Sequence, residues 1–163
     1  MDARVAGASR IFAIDLAEHK FDLARRLGAT DTVQASATTL VEDIKAATGG
    51  GVNFAFEMAG SVKAKECAYN ITKRGMTVAA GLPPPNQGFN VPHGNLVAEE
   101  RTIKGSYIGT CVPLRDIKSY VALFRAGLML VNYLLSHRLK LEDLNEGFER
   151  LHEGKAVRQI ILF

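Results

Sequence analysis

The sequence switches repeatedly between two hydrophobic periods. Short apolar runs predict strands, and segments whose apolar residues recur every three or four positions predict helices between them. Strands that alternate with single helices favour right-handed crossovers and a mostly parallel sheet with helices on both faces. We therefore predict an α/β fold. Because ligands of such sheets bind at the carboxyl ends of the strands, these ends are the expected place of a functional site.

The predicted elements follow one another from residue 10 onward. Strands are expected at residues 10–15, 31–33, 52–58, 76–80, 102–108 and 157–163. Helices are expected at residues 18–27, 39–48, 61–72, 117–127 and 141–151. Thr39 and Glu42 fit a capping box at the start of their helix, and Ser61 is expected to cap the helix that follows it. The third strand is expected to place its large apolar residues on one face, namely Val52, Phe54, Phe56 and Met58.

A carboxylate stands where the first strand ends. Residues 10–15 form an apolar run that closes on Asp15, and an acid in this position binds the ribose hydroxyls of adenosine in dinucleotide-binding folds. In those folds a G-x-G-x-x-G turn lies about 20 residues before the acid, and the sequence contains no such motif. The pattern predicts a nucleotide fold that starts after its first strand and phosphate loop. The alternative is that Asp15 caps the helix that begins near Glu18.

Three further strand ends are expected at the same edge of the sheet as Asp15. They are Met58–Gly60, Gly81–Leu82 and Tyr107–Ile108. The prolines at 83, 84 and 85 remove backbone donors and fix φ, so the chain is expected to turn away from the sheet after Leu82.

Composition narrows the classes of function. A chain of 163 residues, 47% of them hydrophobic, can bury one sizeable core. The net charge is only +3 and the basic residues are scattered, so nucleic acid is not an expected partner. No apolar run is long enough to span a membrane, and a cytoplasmic location is expected. Cys67 and Cys111 are far apart, and neither they nor His19, His93, His137 and His152 have the spacing of a metal site.

Several segments, taken in order, resemble the zinc-dependent alcohol dehydrogenases of the medium-chain dehydrogenase/reductase superfamily. The segments are Ala6–Arg10, Lys20–Phe21, Leu27–Asp31, Gly50–Glu57, Ala80–Pro84, Lys104–Tyr107, Leu144–Phe148 and Val157–Ile161. Their order and spacing are similar to the second half of such an enzyme. The resemblance implies a Rossmann-type doubly wound parallel sheet that lacks its first strand and Gly-rich loop. It also implies a partial NAD-binding domain at residues 1–107 and a return to the catalytic domain at residues 108–163.

The resemblance further implies a set of cofactor contacts. Asp15 would bind the ribose hydroxyls with Leu16 beside it, Lys20 would be their cationic neighbour, and Arg158 would reach the pyrophosphate. The remaining contacts would be Met58, Ala59, Ala80, Gly81, Leu82, Ser106, Tyr107 and Ile108. A carboxylate at the ribose repels a 2′-phosphate, which favours NAD over NADP. The residues alone are also consistent with a Lys20 side chain that is solvated, and with a pairing of Arg158 with Glu153 or another surface acid.

The sequence has no counterpart of the family's catalytic zinc ligands, structural zinc lobe or proton relay. Zinc polarises the oxygen of an alcohol or aldehyde while hydride moves to or from NAD, so we expect no turnover by this chain alone. Because the phosphate-binding turn is also missing, we expect its NAD binding to be weak or absent. One interpretation is the NAD-binding portion of an oxidoreductase, paired as a homodimer through the edge Gly88–Pro92. The other is a non-catalytic nucleotide-binding or dimerisation module from a truncated gene. A methyltransferase-like domain is a weaker alternative, because it also has an acid after its second strand.

Overall fold

The computed structural model describes residues 1–163. Its elements, in chain order, are helix α1 (Asp2–Val5), strand β1 (Phe12–Asp15), a 3-10 turn (Glu18–Lys20), α2 (Phe21–Arg26), β2 (Asp31–Gln34), α3 (Leu40–Thr48), β3 (Val52–Glu57), α4 (Val62–Ile71), β4 (Thr72–Ala79), α5 (His93–Ala98), β5 (Thr102–Gly105), a short turn (Ile108–Thr110), α6 (Pro113–Arg125), a 3-10 turn (Val131–Leu134), β6 (Leu135–Leu139), a 3-10 turn (Leu141–Asp143), α7 (Leu144–His152) and β7 (Arg158–Ile161). The chain divides into a discontinuous unit, Met1–Gln34 with Pro113–Phe163, and a central unit, Ala35–Val112.

All strand pairs are parallel, and the strands form three sheets with the orders β1-β2, β3-β4-β5 and β6-β7. The predicted α/β class is therefore confirmed. β1 pairs only with β2, and β3 pairs only with β4. One edge of β1 and one edge of β3 therefore have no strand partner.

In the discontinuous unit, α2 is the crossover between β1 and β2, whose last residues Asp15 and Gln34 lie side by side. Arg10 donates from Nε and Nη2 to the two carboxylate oxygens of Asp31 at 2.9 and 2.8 Å. These hydrogen bonds, with one from Thr30, lower the pKa of Asp31 to about 2. The pair stabilises the approach of the two strands at their amino ends.

Only one of the two strands in the second sheet of the discontinuous unit was predicted. β7 lies within the predicted strand 157–163, whereas β6, which pairs with it, was missed because Ser136, His137 and Arg138 interrupt its apolar run. α7 packs closely on this sheet at Gly147, where a Cβ would lie 2.5 Å from a methyl group of Leu139. The short helices α1 and α5 were also missed.

In the central unit, α4 contacts β3 and β4. The strand face that carries Ala55, Glu57 and Thr77 is buried. Phe54 and Phe56 do share one face, as predicted, but their two rings are 61% and 60% exposed. The small side chains of β3 thus face the helix, because a close helix leaves little room above the sheet.

The end of α4 differs from the prediction. A helix was expected through Thr72 and a strand only from Met76, but α4 ends at Ile71 and β4 begins at Thr72. The fully buried Thr72 hydroxyl donates to the carbonyl of Ala68 at 2.8 Å and lies 3.0 Å from the hydroxyl of Thr77. The bond to Ala68 gives a carbonyl group in the last turn of α4 a hydrogen-bond donor, so β4 can follow the helix without a loop. Local sequence patterns did not reveal this direct connection.

Two more predictions were wrong in detail. Thr39 is the N-cap residue of α3, but its side chain makes no capping bond to the backbone and instead donates to Asp43 at 2.8 Å. The predicted strand 102–108 stops at Gly105, because residues 108 to 110 have left-handed backbone angles that a strand cannot adopt.

Candidate functional site

The turn between β3 and α4 is organised by the side chain of Glu57. This carboxylate is only 4% exposed. The backbone N–H groups of Ala59, Gly60 and Ser61 donate to its Oε1 atom at 2.7, 2.7 and 3.3 Å. Charge-assisted bonds of this kind are among the stronger hydrogen bonds in proteins. They fix the turn that places Met58 and Ala59, two of the predicted site residues.

The end of β4 lies directly against this turn. Ala80 and Gly81 donate their backbone N–H groups to the carbonyl oxygen of Glu57 at 2.9 and 3.0 Å. A Cβ on Gly60, whose φ is +69°, would lie 2.7 Å from the carbonyl oxygen of Leu82. Gly60 and Gly81 are therefore required by the close approach of two backbones. Five predicted site residues come together here: Met58, Ala59, Ala80, Gly81 and Leu82.

The end of β5 reaches the same edge of the central sheet. Ser106 donates its backbone N–H to the carbonyl of Ala79 at 2.8 Å, while the side chains of Tyr107 and Ile108 are 77% and 69% exposed. Ile108 and Thr110 have positive φ angles of 50° and 55°, a conformation that is rare for β-branched residues and found preferentially at functional sites. The structure thus places the predicted segment 106–108 at the edge formed by the ends of β3 and β4.

Asp15 ends β1 in the discontinuous unit. Its Oδ1 atom accepts the backbone N–H of Ala17 at 2.8 Å, and its second oxygen makes no hydrogen bond within the chain. The following 3-10 turn has Ala17, not Asp15, as its N-cap residue. The alternative that Asp15 caps this turn is therefore wrong.

Gln34 is a neighbour of Asp15 that the sequence reasoning missed. It lies opposite Asp15 in the register of β1 and β2, and its Nε2 atom donates to the carbonyl of Leu16 at 3.1 Å. The bond holds the backbone of Leu16 while its side chain is 73% exposed. The sequence did contain a signal for it, because Gln34 is a polar residue at the carboxyl end of the second strand. The carboxyl ends of neighbouring parallel strands lie at the same edge of a sheet, so this signal could have placed Gln34 near Asp15.

The predicted cations of the site lie in the discontinuous unit as well. Lys20 forms no ion pair with Asp15, and its Nζ atom lies 3.9 Å from the position that a Cβ on Gly154 would take. Arg158 begins β7, and its guanidinium makes no hydrogen bond or ion pair within the chain. Glu153 pairs instead with Lys155 at 2.8 Å, so the alternative of an Arg158–Glu153 pair is wrong.

The side chains of this chain do not form a zinc site. No group of three or more His, Cys, Asp or Glu residues is arranged to hold a metal ion. None of the helices combines the length and the apolarity that crossing a bilayer would require.

Comparisons with known proteins agree with the sequence resemblance. The family model described as zinc-binding dehydrogenase matches residues 1–126. A hagfish (Myxine glutinosa) protein, alcohol dehydrogenase class-3, is 34% identical over 99% of this chain and 44% of its own length. Among solved structures, benzyl alcohol dehydrogenase from Acinetobacter calcoaceticus is 29% identical with a TM-score of 0.93, over 98% of this chain and 44% of that one.

A second solved structure is similar to the same degree. An alcohol dehydrogenase zinc-binding domain protein from Burkholderia ambifaria is 28% identical with a TM-score of 0.93, over 98% of this chain and 43% of that one. The chain thus spans less than half the length of each of these relatives, and it has the Rossmann-like fold of their corresponding part. From the family match and the shared fold together, this chain belongs to the zinc-binding dehydrogenase family.

Proposed function

We propose that this chain is the NAD-binding portion of a cytoplasmic zinc-dependent alcohol dehydrogenase-like oxidoreductase. In the complete enzyme, hydride would move between a small alcohol or aldehyde and NAD. The main support is the meeting of the ends of β3, β4 and β5, where backbone bonds join Glu57 to Ala80 and Gly81 and join Ala79 to Ser106. Residues 1–107 would supply the coenzyme part, and residues 108–163 would return to the catalytic domain.

Asp15 would bind the ribose of the cofactor. One of its oxygens is engaged with Ala17, and the other is left to accept a hydroxyl group. A ribose hydroxyl donates a hydrogen bond to a carboxylate, whereas a 2′-phosphate would be repelled by it. The proposed preference is therefore NAD over NADP.

Lys20 and Arg158 would bind the negative charges of the cofactor. Neither cation forms a salt bridge with an acid of this chain, so both remain available for a pyrophosphate. Met58, Ala59, Ala80, Gly81 and Leu82 would form an apolar wall, and the backbone of Ser106–Ile108 would meet the carboxamide.

This chain alone would not turn over an alcohol. Zinc, when bound in a complete enzyme, polarises the substrate oxygen, and the residues present here do not form its site. The contribution of this chain would be to bind and orient NAD. Its NAD dissociation constant is expected to be no tighter than about 1 mM, a binding free energy of about 4 kcal/mol.

An NMR titration of the isotope-labelled chain with NAD, NADP and adenosine monophosphate tests this function. We expect saturable shifts of amides at Asp15–Leu16 and at Ala80–Leu82 with NAD, smaller shifts with NADP, and no alcohol oxidation. The alternative, a dimerisation module that binds no nucleotide, would leave all these amides unmoved at 10 mM NAD, roughly ten times the expected dissociation constant.

Dimerisation through Gly88–Pro92 is a separate proposal. Phe89 and Val91 are half-buried and Asn90 is exposed, so the segment alternates like an edge strand although it pairs with no strand within the chain. The backbone N–H of Asn90 donates to Glu66 at 3.3 Å, and the Tyr69 hydroxyl donates to the carbonyl of Pro92 at 3.5 Å. These contacts hold the segment against α4, where it could pair with the same segment of a second copy.

A further inference from the structure

The carboxylate of Glu57 touches two turns at once. Its Oε1 atom accepts three N–H groups of the turn before α4. Its Oε2 atom lies 2.9 Å from the position that a Cβ on Gly81 would take. The same side chain therefore lies between the β3–α4 turn and the chain that leaves β4.

A buried cation accompanies this buried acid. Lys65, on the second turn of α4, is 6% exposed, and its Nζ atom has no hydrogen-bond partner. Its ammonium lies 5.6 Å from the ring centre of Phe89. Burial lowers the pKa of Lys65, while the charge of Glu57 opposes this shift. Lys65 forms no salt bridge with Glu57, so the two charges interact only through their separation, and burial remains the larger influence on the lysine pKa.

We propose that Glu57 is a positioning residue that holds Met58–Ser61 and Ala80–Leu82 together as one wall of the cofactor site. The inference rests on the proposed function only in that this wall faces NAD. The physical reason is that the carboxylate fixes the turn Met58–Ser61 through three N–H groups, while the main-chain carbonyl of Glu57 accepts the N–H groups of Ala80 and Gly81. Loss of the carboxylate loosens the first turn, against which the backbone of Gly81 packs. Apolar packing cannot replace it, because the buried N–H groups need an acceptor.

Substitutions at Glu57 distinguish the effect of its hydrogen-bond acceptor from the effect of its negative charge. Glu57→Gln keeps an oxygen that can accept the three N–H groups but removes the charge. Glu57→Ala removes the acceptor altogether. Glu57→Asp keeps the charge and shortens the side chain by one methylene, so it cannot reach all three groups without moving the turn. Glu42→Gln, at an exposed position on α3, is the matched control.

Amide hydrogen exchange on the full labelled chain tests the positioning role without any ligand. In Glu57→Ala we expect exchange of the Ala59, Gly60 and Ser61 amides to accelerate by about tenfold or more, as for loss of a charge-assisted bond. Chemical shifts of Ala80–Leu82 should change with them. Glu57→Gln should retain most of the protection, and Glu42→Gln all of it. Unchanged exchange in Glu57→Ala would overturn the proposal.

Titration of the same samples with NAD tests the link to the cofactor wall. We expect the dissociation constant to rise about fivefold or more in Glu57→Ala and less than about twofold in Glu57→Gln, since each lost contact changes affinity by such factors. A merely structural residue would lower the melting temperature but leave the NAD affinity of the folded fraction unchanged, and that result would also overturn the proposal.

The two measurements, amide exchange and NAD titration, distinguish the proposed NAD-binding function from the proposed positioning role of Glu57. If the unmodified chain gives no shift with NAD, that result favours the dimerisation-module alternative over NAD binding by this chain, and the exchange rates alone then decide whether Glu57 positions the Met58–Ser61 turn. If Glu57→Ala does not fold, Glu57→Asp replaces it, with faster exchange expected at Ser61 and weaker NAD binding. Wild-type exchange and affinity in Glu57→Asp would count against the positioning role.

Discussion

Gly81 lies so close to Gly60 that a Cβ on Gly81 would stand 2.1 Å from the backbone nitrogen of Gly60. Neither residue could be replaced without moving the backbone of a turn. The two glycines allow the backbone that leaves β4 to pack against the turn after β3, where Ala80 and Gly81 donate to the main-chain carbonyl of Glu57.

Gly81→Ala should therefore separate the two turns. We expect it to destabilise the chain by about 1–3 kcal/mol, the usual cost of inserting a methyl group where there is no space. Chemical denaturation followed by circular dichroism measures the change. The control is Gly105→Ala at the end of β5, where a Cβ would have no neighbour within 4 Å. Equal stability of the two variants would contradict the close approach.

Asp15→Ala should weaken NAD binding by about 1–3 kcal/mol, because the ribose loses a charged acceptor. The dissociation constants of the two proteins are compared by NMR titration. Asp15→Asn serves as the control for structure, since its amide oxygen can still accept the N–H of Ala17. We expect Asp15→Asn to reduce the difference in affinity between NAD and NADP. An unaltered preference for NAD would show that the carboxylate does not face the 2′ position of the ribose.

The Arg10–Asp31 pair should contribute to stability in a defined pH range. The folded-state pKa of Asp31 is about 2, below the ordinary value of 3.8, so its contribution is full above about pH 4 and is lost as the pH falls through 2. Asp31→Asn should lower the melting temperature at pH 6, and the difference from the unmodified chain should shrink between pH 4 and pH 2.

Asp22→Asn is the matched control for this pair. Asp22 also bonds an arginine, Arg25, at 2.8 Å, but its side chain is 93% exposed. Exposed ion pairs contribute little to stability, so Asp22→Asn should leave the melting temperature unchanged at pH 6. If the melting temperature of Asp31→Asn is still lower than that of the unmodified chain at pH 2, the carboxyl group stabilises the fold by means other than its charge.

Asn90→Pro should shift the chain from dimer towards monomer, because proline removes a backbone donor of the proposed edge strand. Light scattering at micromolar concentrations measures the mass. Proline also removes the bond from Asn90 to Glu66, so Glu66→Ala is needed as a control that loses this bond but keeps the donor. Glu66→Ala should remain a dimer. A monomer in the unmodified chain would refute the proposed interface.

The sequence by itself determined the alternation of strands and helices, the acid at the end of β1 and the family. These features are local, because a hydrophobic period, a cap such as Ser61 and a stop such as Gly49 depend on neighbouring residues. The accepting oxygen of Ser61 lies 3.5 Å from the N–H of Ala64, and Gly49 ends α3 with a left-handed conformation, both as their residue types predict.

Only the tertiary structure decided which faces are covered and which atoms meet. The pattern of β3 grouped Phe54 with Phe56 correctly but could not tell that α4 packs on the opposite face, which carries Ala55 and Glu57. The role of Glu57 was hidden for the same reason: its carboxylate acts through the turn after β3 and against Gly81, 24 residues away in sequence. Contacts between residues distant in sequence leave no period in the chain, so a single sequence predicts the strand ends but not the side chain that joins them.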